Sequence, residues 1–147
     1  MHADLTISRL AENKYRIVTG GADGNRDWVL LRNYRDDNSL DVSINIRTHD
    51  IATLGLWGPQ AEAALGNFVD PNAINLENFP FATAKNLTLN LSEGKTIDVW
   101  AARISYVGES GWEIYLNNNS EEGLTLYDSL LKAVSYTHLT LPTNRCV

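Results

Sequence analysis

The sequence predicts an α+β fold, with mixed, largely antiparallel sheets and helices packed on them. Three observations carry that expectation. Short runs with an apolar residue at every second position come in pairs joined by polar turns, as hairpins do. Longer segments repeat apolar residues at three- and four-residue spacing, the helical period. The order mixes strands, hairpins and helices without an internal repeat.

The elements follow in chain order. Leu5, Ile7 and Leu10 mostly alternate, Glu12, Asn13 and Lys14 form a polar turn, and residues 15–18 return the chain as a second strand. Glycines at 20, 21 and 24 break the pattern. A helix is expected over residues 25–34, with Trp28, Leu31 and Tyr34 on its buried face. Leu40, Val42, Ile44 and Ile46 alternate strictly with polar residues, which predicts a half-buried strand. Ala52, Leu54 and Leu56 predict another. Gly58 and Pro59 end it and open a helix whose apolar face is Ala61, Ala64, Leu65 and Phe68. Residues 70–81, with Pro71 and Pro80, read as a loop. Leu87, Leu89 and Leu91 pair with Ile97, Val99 and Ala101 across a turn at residues 92–95. Residues 112–116 form a last strand. Ser120 caps a final helix with Leu124, Tyr127, Leu130, Leu131 and Val134 as its stripe.

Composition narrows the function classes. The 147 residues make one domain, and 44% hydrophobic with 20% charged residues is an ordinary globular mix. The net charge of −6 argues against nucleic acid and against an anionic membrane surface as partners. No apolar run is long enough for a membrane span, and no apolar leader opens the chain. The expected location is the cytoplasm, or the mitochondrial matrix in a eukaryotic source. Cys146 is the only cysteine, and His2, His49 and His138 are scattered, so neither an internal disulfide nor a zinc site is expected. Residues 135–147 carry one charge, no cap signal and no partner pattern. They read as a non-genuine tail appended to a domain over residues 1–134, with a short edge strand at residues 139–141 as the alternative.

Chemistry has two candidate locations. The glycine-rich stretch at residues 20–24 follows a strand and precedes a helix, but its spacing and hairpin context fit a turn better than a phosphate loop. Residues 103–115, RISYVGESGWEIY, pack two glycines, two glutamates, two tyrosines and a tryptophan into one strand–loop–strand. Gly108 and Gly111 allow close backbone approach. Glu113 lies between Trp112 and Ile114, so it either faces solvent on the opposite side of the strand or is specifically paired.

This segment resembles the Y-[VT]-G-E-x-G-[WF]-E-[IL]-Y signature of the folate-binding aminomethyltransferase family. That family includes the T-protein of the glycine cleavage system and the C-terminal halves of dimethylglycine and sarcosine dehydrogenases. ADLTI at residues 3–7, YRIVTG at 15–20, LGLWGPQA at 54–61 and FPF at 79–81 resemble further elements of the family. The spelling is most similar to the dehydrogenase branch. The resemblance covers residues 3–134.

The resemblance implies a tetrahydrofolate-dependent one-carbon transfer. An amine substrate supplies a unit at the formaldehyde level, and tetrahydrofolate captures it as 5,10-methylenetetrahydrofolate. In the dehydrogenase branch an upstream domain carrying FAD first oxidises the N-methyl group. It also implies roles: Glu113 accepts the paired N–H donors of the pterin, Asp4 is the catalytic acid–base group, and Tyr106 lines the folate pocket. The residues alone leave Asp4 open as a strand-end cap and Tyr106 as a core tyrosine. Two departures stand out. Gly20 occupies a position where the stand-alone branch usually has Asn, and the arginine-bearing G-x-x-A-R-D-x-L-R-x-E stretch is absent. The sequence therefore reads as a fragment lacking the flavin and C-terminal domains of its parent, inactive by itself. A folate-binding module without transferase activity is the alternative; the K-G-C-Y-x-G-Q signature of such relatives is absent.

Overall fold

A computed structural model describes residues 4–105, 108–117 and 120–137. The chain divides into two compact units, Met1–Thr48 and His49–Val147. Among the described residues the secondary structure is two antiparallel sheets and four α-helices, the α+β mixture expected.

The first unit holds the first hairpin. Strands β1 (Leu5–Ala11) and β2 (Lys14–Thr19) pair from Leu5 opposite Thr19 to Ala11 opposite Lys14, with a register irregularity between Arg9 and Ala11. Helix α1 (Gly24–Asp37) starts after a turn in which the Asp23 N–H donates to the Gly20 carbonyl at 2.9 Å. It runs longer than residues 25–34. Its most buried side chain is Asp27, Trp28 and Leu31 are half-buried, and Tyr34 is 63% exposed. The expected face is thus rotated toward the carboxylate, because Asp27 has partners there. The Thr19 hydroxyl donates to its Oδ2, and the Arg26 Nε–H donates to Oδ1 at 2.9 Å.

The Thr19 hydroxyl, and then Arg26, hold the Asp27 carboxyl below the ordinary aspartate value, against an opposing effect of burial. A lowered folded-state pKa stabilises the unit above the unfolded value of about 3.9 and loses that contribution as pH falls through the folded value. In Asp27→Asn, amide protection in α1 should be reduced at pH 7 and should fall less than in the parent between pH 5 and pH 2. Equal loss in both chains would contradict this account.

The strand expected over Leu40 to Ile46 does not form. Those residues belong to no ladder among the described residues, and Leu40, Val42 and Ile46 are 44–54% exposed. Alternation specifies two faces, but a strand also needs a neighbour to pair with.

The second unit is built on a four-stranded sheet in the order β3-β6-β5-β4, with every pair antiparallel. The strands are β3 (Ile51–Trp57), β4 (Thr83–Asn90), β5 (Thr96–Arg103) and β6 (Gly111–Asn117). Leu56 from β3, Leu87 and Leu89 from β4, Ile97, Val99 and Ala101 from β5, and Trp112, Ile114 and Leu116 from β6 share the core. A 3-10 turn (Ser92–Gly94) closes the β4–β5 hairpin.

Helix α2 (Ala61–Leu65) starts later than Pro59, because residues 58–61 first make a turn in which the Ala61 N–H donates to the Gly58 carbonyl at 3.0 Å, with Gly58 at φ +132°, a conformation open to glycine. Its Ala61, Ala64 and Leu65 are buried as expected. The segment read as a loop contains one turn of helix, α3 (Pro71–Ile74). The Asp70 side chain accepts the Asn72 N–H, and Pro71 sits at the first position.

Helix α4 (Ser120–Thr137) extends past Val134. Leu126 and Leu130 are buried and Val134 packs against the core, whereas Leu124, Tyr127 and Leu131 are 50–64% exposed. Leu130 and Val134 thus face inward as expected, and the stripe is corrected at its other positions: Leu126 joins them, so that 126, 130 and 134 recur every four residues on one face. Among the described residues no helix is long and apolar enough to cross a membrane, and no group of three His, Cys, Asp or Glu could hold a metal ion. Most of the residues read as a tail, 138–147, lie outside the described residues.

Candidate functional site

Strand β6 separates its side chains by parity. Trp112, Ile114 and Leu116 enter the core, and Gly111, Glu113 and Tyr115 occupy the other face. Glu113 therefore lies opposite Trp112 and Ile114, as alternation requires. That face is not simply solvated: Glu113 is half-buried and Tyr115 is 5% exposed.

The register defines the surroundings of the carboxylate. Gly55 of β3 and Ala102 of β5 are its partners on either side, and Ala84 of β4 pairs with Ala102. Glu113 is thus the one large side chain in a row of Gly55, Glu113, Ala102 and Ala84. The next row on one side is Thr53, Tyr115 and Trp100. The Tyr115 and Trp100 rings meet at 5.1 Å between centroids. The Tyr115 hydroxyl donates to Glu113 Oε2. On the other side Trp57 pairs with Gly111.

Trp57 fills space that two glycines leave. A Cβ on Gly55 would lie 2.1 Å from Trp57 Cζ3, and one on Gly111 would lie 2.5 Å from Trp57 Cδ1. The indole is laid across both glycine backbones. Three aromatic rings, Trp57, Trp100 and Tyr115, therefore accompany one carboxylate on this face.

The loop before β6 is fastened from below. Arg103, at the end of β5 and 5% exposed, donates to the Ser110 hydroxyl at 3.2 Å and to Glu62 Oε2 of α2 at 2.9 Å. It also donates to the carbonyls of Ile74 at 2.8 Å and Phe79 at 3.1 Å, and its guanidinium lies 4.8 Å from the centroid of the Trp112 ring. Lys85 fastens the same segment through the carbonyls of Ala73 and Asn78. The Gly58 N–H donates to the Ser110 carbonyl at 3.0 Å, which ties the turn after β3 to the turn before β6.

The other residues singled out lie elsewhere. Asp4 is exposed and immediately precedes β1 in the first unit, whereas Glu113 belongs to the second. Tyr106 lies outside the described residues. The glycine-rich stretch at residues 20–24 leads directly into α1 as a turn. Sequence reasoning missed Arg103, Trp57 and Gly55. The signals were present: Arg103 continues the core-facing series 97, 99, 101, and a glycine inside a strand pattern marks close approach.

This arrangement can accept two adjacent N–H donors. A carboxylate has four lone-pair positions, and one bond from Tyr115 leaves capacity for a bidentate partner. Small neighbours in its row and aromatic rings beside it suit a flat heterocycle with an amine edge.

Human mitochondrial dimethylglycine dehydrogenase is 30% identical over 133 residues, which is 90% of this chain and 14% of that protein. An aminomethyltransferase of Symbiobacterium thermophilum is 33% identical over 132 residues, covering 88% of this chain and 33% of the relative. Human mitochondrial sarcosine dehydrogenase is 29% identical over 78% of this chain and 13% of its own length. The chain thus spans a third or less of each of these relatives. The GCVT N-terminal domain matches residues 1–142, nearly the whole sequence, and the chain belongs to that family.

Proposed function

We propose that the chain is the folate-binding part of a tetrahydrofolate-dependent one-carbon transfer enzyme of the dimethylglycine and sarcosine dehydrogenase type. The observation that carries this reading is the half-buried Glu113, set between Gly55 and Ala102 and accompanied by three aromatic rings. The residues present fit tetrahydrofolate. Its pterin offers a ring N–H beside an exocyclic amine, and Glu113 would accept both in a charge-assisted pair. The Tyr115 hydroxyl, donating to Oε2, orients the carboxylate. When bound, tetrahydrofolate supplies the nitrogens that take up the one-carbon unit.

Asp4 is assigned the acid–base role that the resemblance implies. Tyr106 is assigned to the wall of the pocket. The amine substrate is oxidised in a separate flavin domain carrying FAD. In this reading the 147 residues are one part of a longer parent enzyme, inactive without its flavin and C-terminal domains. Its location is the cytoplasm, or the mitochondrial matrix in a eukaryote.

Glu113→Gln tests the reading, because the carboxamide replaces one acceptor by a donor that opposes the amine edge. Titration with tetrahydrofolate under argon, followed by NMR, should show affinity at least about tenfold below that of the unsubstituted chain, the scale of a charge-assisted hydrogen bond. Equal affinities would remove Glu113 from the site.

A further inference from the structure

We infer that Trp57 is a binding residue, an aromatic wall that packs against the same heterocycle whose amine edge Glu113 accepts. The inference rests on the folate reading of the Glu113 face and adds a residue to it. Nothing in the signature around Glu113 contains Trp57; it comes from the neighbouring strand. Its placement is the result of two glycines on two strands. Gly55 pairs with Glu113, and Gly111 pairs with Trp57 itself.

Gly55 and Gly111 are therefore diagonal neighbours, and the indole spans them. Its Cδ1 side lies over Gly111 and its Cζ3 and Cη2 side over Gly55, where a Cβ would come within 2.1–2.5 Å of the ring. Any side chain at either position would lift the ring off the sheet. With both absent, one indole face rests on backbone and the other is turned away from the sheet. Directly opposed residues in an antiparallel pair place their Cβ atoms about 5 Å apart. Because the six-membered ring stands where a Gly55 side chain would be, it is the immediate cross-strand neighbour of Glu113.

A flat ring beside a carboxylate in this way does two things for a pterin. It offers a large, rigid apolar surface with little entropy to lose, and it shields the charge-assisted pair from water. Trp57 is half-buried, so part of its surface remains accessible.

The test compares Trp57→Leu and Trp57→Phe in the 147-residue chain, with two probes followed by NMR under argon. Tetrahydrofolate carries the full tail; 6,7-dimethyltetrahydropterin keeps only the heterocycle. Stacking of a flat base on an aromatic side chain sets the scale, so Trp57→Leu should weaken both probes by about tenfold. Trp57→Phe, which keeps a ring, should stay within about threefold. Unfolding of the two variants without ligand should coincide, so that the difference belongs to binding. Gly55→Ala, which drives the indole from its seat, should weaken both probes as Trp57→Leu does.

Equal affinity of Trp57→Leu and the unsubstituted chain, while Glu113→Gln loses binding, would overturn the wall and leave the folate reading intact. A loss seen with tetrahydrofolate alone would place Trp57 against the tail and overturn the inference as well. If the unsubstituted chain shifts no resonance of the second unit with either probe, the folate reading falls and takes the wall with it.

Discussion

Arg103→Met should destabilise the second unit by roughly 2–4 kcal/mol, a large part of the 5–15 kcal/mol typical of a domain. The guanidinium is buried and satisfies two main-chain carbonyls, Ile74 and Phe79, that lie outside the sheet ladders. Methionine fills much of the same volume but donates nothing, so those acceptors lose their Arg103 partner. The Glu62 side chain is 46% exposed and can return to water, which keeps the loss below that of breaking a fully buried ion pair. Ser110 loses its anchor too, and the turn before Glu113 loosens. Arg103→Lys keeps the charge but cannot reach four acceptors in one plane, so it should recover only part of the loss. The urea midpoint of the chain measures this; a methionine variant within about 0.5 kcal/mol of the parent would show that the clamp is dispensable.

Gly111→Ala should be nearly as damaging, at about 3 kcal/mol or more. The added Cβ would stand 2.3 Å from the Leu56 carbonyl oxygen and 2.8 Å from the Trp57 Cα. Both are backbone atoms of the paired strand, so no rotamer change relieves the overlap. Strands β3 and β6 must separate at that end, which also strains the bond from the Gly58 N–H to the Ser110 carbonyl. Gly123 supplies the contrast. It lies in α4, where an added Cβ would meet nothing within 4 Å, and Gly123→Ala should stabilise the helix by about 0.5–1 kcal/mol. Thermal melts of the two variants should therefore move in opposite directions. A Gly111→Ala chain that melts with the parent would refute the clash.

What the sequence disclosed depended on how local each determinant is. Hairpins β1–β2 and β4–β5 were legible because their partners are sequence neighbours and their two faces differ in polarity. The same alternation at Leu40 to Ile46 misled, since no described strand pairs with it. Helix faces were harder. In α4 the apolar residues Leu124, Tyr127 and Leu131 compete with those that enter the core, so counting hydrophobic positions found Leu130 and Val134 but mixed the two sides and passed over Leu126. In α1 a carboxylate took the inward position because Thr19, on a different element, was there to donate to it.

The candidate site divides in the same way. Glu113 was visible through its motif, and its face through strand parity. Its neighbours Gly55 and Trp57 were not, because they lie on β3, far from β6 in the chain, and Ala102 was not, because the register across the turn between β5 and β6 is not written in the pattern. Arg103 was hidden by convention: a charge at the end of a strand is usually assigned to water, and here it continues the inward series of β5.

The sheet order has a consequence for synthesis. Strand β6, last of the four to leave the ribosome, is inserted between β3 and β5, whereas β4 and β5 are adjacent in both sequence and space. The hairpin can close once Arg103 has emerged, but β3 must wait about sixty residues for its neighbour, during which its hydrogen-bonding edge is unprotected. Nascent chains arrested before Gly111 should accordingly engage chaperones through residues 51–57, and release from the chaperone should coincide with emergence of residue 117.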